Sequence, residues 1–131
     1  MAEKTQTQKI GDMGESAAAS YLIRHGYTII MRNYRLPCGE IDIIAKNKQY
    51  IVFAEVKTRA ADALDRPSAW VDKRKQKKLI RTASVYLENS SLDLQPRFDV
   101  IEVVYDKNTK VIVSIEHIEN AFIQQDDYAA F

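Results

Sequence analysis

Two apolar, β-branched runs, Glu40-Ile41-Asp42-Ile43-Ile44-Ala45 and Ile51-Val52-Phe53-Ala54-Glu55-Val56-Lys57, flank the short polar segment Lys46-Asn47-Lys48-Gln49. Runs of this length and composition form strands, and a connection this short joins neighbouring strands as an antiparallel hairpin. Alternate residues of a strand share a face, so Glu40 and Asp42 point the same way, as do Glu55 and Lys57. With residues 47–50 as a four-residue loop, Asp42 stands opposite Glu55 and Glu40 opposite Lys57, the β-carbons of each pair on the order of 5 Å apart. Facing carboxylates repel. Among Ile41, Ile43, Ile44, Val52, Phe53 and Val56, an ionised carboxylate costs several kcal/mol unless something pairs with it.

A hard divalent cation removes that cost. Mg²⁺ or Mn²⁺ prefers oxygen ligands, takes one or two protein carboxylates and keeps its other positions for water and phosphate. The hairpin therefore points to a metal site on Asp42 and Glu55, with Lys57 one pleat away to hold a phosphate or orient an attacking water. The plainer alternative is a half-solvated hairpin in which Glu40 and Lys57 form a cross-strand ion pair contributing under ~1 kcal/mol.

The rest of the 131-residue chain predicts a single domain over residues 10–125, a disordered start at 1–9 and a tail at 126–131. Ile10, Met13, Gly14, Ala17, Ala18, Tyr21 and Leu22 recur at helical spacing before Gly26, a C-terminal cap. Tyr27–Arg35 reads as a strand, and Thr58–Ala69 as a mobile loop ending in the candidate cap Ser68. A second helix follows over Trp70–Glu88, with Leu79, Ile80, Ala83, Tyr86 and Leu87 inward. Arg97–Tyr105 and Val111–Ile115 close a second hairpin through Asp106–Lys110, before a short terminal helix holding Ala121 and Phe122. The order α-β-β-β-α-β-β predicts an α/β domain with a mixed sheet flanked by helices.

Bulk charge names no partner: 19 Lys and Arg face 18 Asp and Glu, a formal net of +1. The lone Cys38 and two histidines, His25 and His117, offer no disulfide or zinc spacing, and neither histidine has an evident role. No stretch approaches the ~18–20 apolar residues of a membrane span, and no signal-peptide pattern opens the chain, which predicts a cytoplasmic protein. Charge is clustered locally. Lys73-Arg74-Lys75-Gln76-Lys77-Lys78 opens the second helix, with Lys73, Lys77 and Arg81 on one outward stripe, a candidate phosphate-binding face or an ordinary solvated one. Gln76 falls on the apolar stripe and needs a partner. Glu15 lies beside Gly14 on the packed side of the first helix, either leaning over the strand ends or simply exposed.

Gly39–Ala45, followed by Val52-Phe53-Ala54-Glu55-Val56-Lys57-Thr58-Arg59, resembles the bacterial YraN-like family of uncharacterised proteins. So do Gly11-Asp12-Met13-Gly14-Glu15, Gly26-Tyr27, Arg32-Asn33-Tyr34-Arg35, Lys75, Ala83–Leu87, Arg97-Phe98-Asp99-Val100 and His117–Phe122. That family is similar to the restriction-endonuclease-like superfamily and to archaeal Holliday junction resolvases, which pair an Asp on one strand with Glu-x-Lys on the next. The resemblance implies a restriction-endonuclease-like fold and a Mg²⁺-dependent phosphodiesterase. It makes Asp42, Glu55 and the Val56 carbonyl metal ligands, gives Lys57 the placement of water or the offsetting of charge, and has Glu15 support the site. Gln76 matches a helix polar residue of some relatives, and a homodimer follows by analogy with the resolvases.

The resulting expectation is a Mg²⁺- or Mn²⁺-dependent nuclease on DNA, including branched DNA. Its catalytic set is Asp42, Glu55, Lys57 and Glu15, with Glu40 and Gln76 in support and Lys73, Arg74, Lys77, Lys78 and Arg81 on nucleic acid. The alternatives are a non-catalytic nucleic-acid-binding module that retains the fold, and an assembly factor whose carboxylates are only surface ion pairs.

Overall fold

The hairpin forms the middle of a five-stranded sheet in a computed structural model that describes residues 3–63 and 71–121. Strands β2 (Gly39–Lys46) and β3 (Tyr50–Ala60) are antiparallel, with Lys46 facing Ile51, so the loop is the four residues 47–50. Asn47 builds it: its side-chain Oδ1 accepts from the Gln49 and Tyr50 amides at 2.9 and 2.8 Å. On one side β1 (Thr28–Leu36) pairs antiparallel with β2. On the other, β4 (Gln95–Tyr105) runs parallel to β3, and β5 (Ile112–Ile118) antiparallel to β4. The parallel pair needs a crossover, which α2 (Lys73–Glu88) supplies; α1 (Gln6–Arg24) precedes the sheet. The protein is thus an α/β domain with a mixed sheet in the expected order.

Each helix covers one face. Ala18, Ala19 and Leu22 of α1 pack on Ile43, Ala45, Val52, Ala54, Ile101 and Val103. Leu79 and Ala83 of α2 pack on Ile41, Ile44, Ile51, Phe53 and Val100. With both faces covered, Ile51–Glu55 is buried without a break, as a central strand requires.

Several boundaries differ from the sequence expectation. Helix α1 begins at Gln6 rather than Ile10, because Thr5 and Gln8 form a capping box that satisfies the first amides, so much of the polar 1–9 stretch is helical rather than disordered. Thr58–Ala60 extend β3 instead of opening a loop, paired with Val103–Tyr105. Helix α2 starts at Lys73 rather than Trp70, capped by Asp72 through the Lys75 amide at 2.9 Å. Ser68, Trp70 and Phe122 lie outside the described residues, and Ala121 sits in a turn rather than a helix. The expected cap at Gly26 is present: its φ of 91° allows the Gly26 and Tyr27 amides to reach the Ile23 and Leu22 carbonyls. No helix among the described residues is long and apolar enough to cross a membrane.

Strand β5 also corrects the reading of His117, which has a partner after all. Its Nε2 lies 2.7 Å from Asp99 Oδ2, inside a buried network in which Arg97 donates to Asp99 through Nε at 2.9 Å and to the Tyr27 hydroxyl through Nη2 at 2.6 Å. Burial pushes the Asp99 carboxyl up. Hydrogen bonds from His117, Arg97 and the Asn120 amide outweigh it and hold the group below the usual carboxylate range.

A depressed carboxyl contributes stability that is present above the ordinary carboxylate range and is lost as pH falls through its folded value. Urea denaturation should therefore show wild type losing stability below about pH 4 more steeply than Asp99→Asn, which is itself weaker by ~3 kcal/mol at pH 7. Helix α1 meets β3 at Gly14, where a Cβ would lie 1.9 Å from Thr58 Oγ1. Gly14→Ala should cost about 1–3 kcal/mol in the same assay, with part recovered by adding Thr58→Ala.

Candidate metal centre

The site begins with a break in the pleat. Ile41 and Ile43 are two residues apart and should share a face, yet Ile43 packs on the α1 side and Ile41 on the α2 side. The reset falls at Asp42. Across from it, Asn33 adopts φ 55° between the pairs Arg32↔Ile43 and Tyr34↔Ile41, a conformation that Asn tolerates far better than a β-branched residue. The β2–β3 register also ends here, at Ile43↔Ala54. Beyond it the Asp42 side chain replaces the ladder, its Oδ2 accepting from the Val56 amide at 2.8 Å.

A cavity of about 350 Å³ opens where the strands part, lined by Gly39, Glu40, Asp42, Glu55, Val56, Lys75, Lys78 and Leu79. Its α2 wall is held close by Gly39, where a Cβ would lie 2.7 Å from Thr82 Oγ1 and 3.2 Å from the Lys78 carbonyl. This close approach carries the first turn of α2 over the carboxylates. Glu55, only 6% exposed, forms an ion pair with the Lys75 ammonium from that turn.

Burial first, and the Glu55 charge second, push the Asp42 carboxyl up to about 8, although the Val56 amide pulls the other way. Burial lowers Lys75, but its hydrogen bond to Glu55 and the surrounding acidic charges outweigh this, so it is raised and stays a cation. One ammonium therefore stands beside both carboxylates, buried Glu55 and half-buried Asp42, and the Asp42 carboxyl is held well above its ordinary range.

The structure brings Asp42, Glu55, Val56 and Glu40 to one cavity, with Lys78 at its wall. Glu40 is ion-paired to Arg35 at 3.2 Å. Glu15 lines an adjoining cavity of about 530 Å³ that shares the Glu40 wall. Its Oε1 is buried without a hydrogen bond, with Arg32 Nη2 at 3.7 Å. Lys57 is not among the described residues lining either of these cavities; it is half-buried two residues along β3, in register with Glu102. Gln76 serves the fold, donating to the Val71 carbonyl at 2.6 Å. Lys73, Arg74, Lys77, Lys78 and Arg81 are all exposed on α2. The residue missing from the expected set is Lys75. Its signal was periodic: it precedes Leu79 and Ala83 by four and eight residues, on the inward stripe rather than the outward one.

The donors fit a hard cation. Two carboxylates come together, and because the N–H and C=O of a strand residue face the same neighbouring strand, the Val56 carbonyl is directed to the same side as the amide that meets Asp42. Among the described residues no group of three or more His, Cys, Asp or Glu is placed to hold an ion. An all-oxygen, two-carboxylate set suits Mg²⁺ or Mn²⁺, which retain waters, and not tetrahedral zinc.

These features define an α/β domain organised around an acidic cavity where two central strands part. The chain belongs to the uncharacterised protein family UPF0102, which it matches over residues 14–103. This is the YraN-like family that the motifs resemble. It is 42% identical over 121 residues to the UPF0102 protein of Caldanaerobacter subterraneus subsp. tengcongensis, covering 92% of this chain and 99% of that one. The Clostridium acetobutylicum member is 48% identical over 116 residues, 88% and 94% of the two chains. That of Thermodesulfovibrio yellowstonii is 44% identical over 114 residues, 87% and 96% of the two.

A raised carboxyl makes folding take up a proton, so its contribution is full below the ordinary carboxylate range and declines as pH rises toward about 8. In EDTA, Asp42→Asn should gain stability over wild type progressively between pH 5 and pH 8, by about 1–3 kcal/mol at the upper end. Urea denaturation across that range checks this; a difference that does not change with pH would show that Asp42 is not held protonated.

Proposed function

We propose that the protein is a Mg²⁺- or Mn²⁺-dependent nuclease that hydrolyses DNA phosphodiester bonds, of the restriction-endonuclease-like kind. The observation that carries this reading is the meeting of two carboxylates, half-buried Asp42 and buried Glu55, at one cavity that Lys75 and Lys78 also line. Asp42, Glu55 and the Val56 carbonyl would hold the metal, which when bound lowers the pKa of a coordinated water and polarises the phosphate.

The chain's own groups do the rest. Lys57, on the face of β3 that carries Glu55, orients water or offsets the charge that develops on the phosphate. Glu15 supports the site from α1, with Glu40 between the two cavities. Gln76 supports it indirectly by fixing the entry to α2. Lys73, Arg74, Lys77, Lys78 and Arg81 offer exposed cations to the sugar-phosphate backbone. Cutting both strands of a branched DNA needs two such sites, which a homodimer of this cytoplasmic protein would provide.

A second reading, a nucleic-acid-binding module without turnover, is favoured by one feature: the exposed cations of α2 serve binding whether or not the carboxylates take metal. The test is cleavage of linear duplex, single-stranded, flap and four-way-junction DNA in Mg²⁺, Mn²⁺ or EDTA. Cleavage should require metal and fall by on the order of 10²–10³-fold or more in Asp42→Asn. Undiminished cleavage by that variant overturns the assignment, whereas binding that weakens steeply with salt, without cleavage, moves the balance to the second reading.

A further inference from the structure

We propose that Lys75 is an internal placeholder for the cation: it holds Glu55 in the metal-free protein and is released by an incoming divalent ion to grip a substrate phosphate. Metal and polyanion binding then reinforce each other. The inference rests on reading the acidic cavity as a metal site.

Three observations carry it. The Lys75 ammonium meets Oε2 of Glu55, one of the two carboxylates a cation would use, so the two cations compete for one group. The backbone of Lys75 is pinned at the third position of α2 by the Asp72 cap, while its side chain remains 52% exposed. A flexible four-carbon stem on a fixed backbone can leave Glu55 without any change in the helix. On release it stays at the wall of the same cavity, one helical turn from Lys78, where a phosphate entering the site would meet both. Displacement therefore converts an internal ion pair into a substrate-facing charge. Linkage makes the effect reciprocal: whatever the pair takes from metal affinity is returned as tighter phosphate binding once metal is present.

The test uses the full chain and Mn²⁺ alone, titrated by calorimetry at fixed pH and ionic strength. Lys75→Gln should bind Mn²⁺ about 5- to 20-fold more tightly than wild type. Lys75→Arg, which keeps the charge, and Lys78→Gln, which removes an equal charge from the same wall, should both stay within about twofold of wild type. With a phosphorothioate DNA duplex as probe, Mn²⁺ should tighten binding more in wild type than in Lys75→Gln, by a factor up to that gain. If Lys75→Gln binds Mn²⁺ no more tightly, or Lys78→Gln gains as much, Lys75 is not a placeholder although the metal site stands. If wild type binds no Mn²⁺, or Asp42→Asn binds it equally well, the metal reading fails and the placeholder fails with it.

Discussion

An ionised carboxylate loses hydration when it is buried, and a second carboxylate beside it adds repulsion to that loss. Glu55 is buried and Asp42 half-buried beside it, and neighbouring groups meet both. The Val56 amide meets Asp42 and the Lys75 ammonium meets Glu55, while burial and the Glu55 charge hold the Asp42 carboxyl above its ordinary range. On the metal reading proposed above, a single divalent cation would offset both carboxylates at once, in place of the ammonium.

Holding the pair in place requires close packing on both faces of the sheet. Gly14 brings α1 against Thr58 on one side, and Gly39 brings α2 against Thr82 and the Lys78 carbonyl on the other. Neither position has room for a side chain as the backbone now lies. Between the helices β3 is buried through Glu55, so the acidic end of the strand has little freedom to move. The Arg97–Asp99–His117 network anchors the neighbouring strand from the α1 side, where Tyr27, between α1 and β1, joins it. Close packing surrounds the carboxylates, while the Lys75 side chain that meets Glu55 is half-exposed.

Much of this was legible in the residues. The hairpin and its four-residue loop follow from strand periodicity and a short polar connection; the ladder stops at Ile43↔Ala54, so Asp42 meets the Val56 amide instead of pairing in register with Glu55. The α/β order follows from where the helical and strand patterns alternate. Boundaries were less accessible because they depend on partners: Thr58–Ala60 look like a loop alone and become strand only against Val103–Tyr105. The start of α1 was hidden by a polar composition that the capping box of Thr5 and Gln8 turns to advantage. His117 seemed to lack a role because its partner, Asp99, is eighteen residues away in the chain.

Periodicity and turn chemistry are local properties, so the sequence by itself determined the elements, their order and the placing of two carboxylates toward the open end of one hairpin. What the tertiary structure alone decided is which charge answers them. Strand alternation sets Lys57 opposite Glu40 and offers no cation for Glu55; in the structure Lys75 reaches Glu55 from a helix position twenty residues on, and Glu40 pairs with Arg35. Ion pairing depends on distances of a few ångströms between side chains on separate elements. Those distances are set only when α2 docks on Gly39 and the pleat resets at Asp42, events that no local pattern encodes.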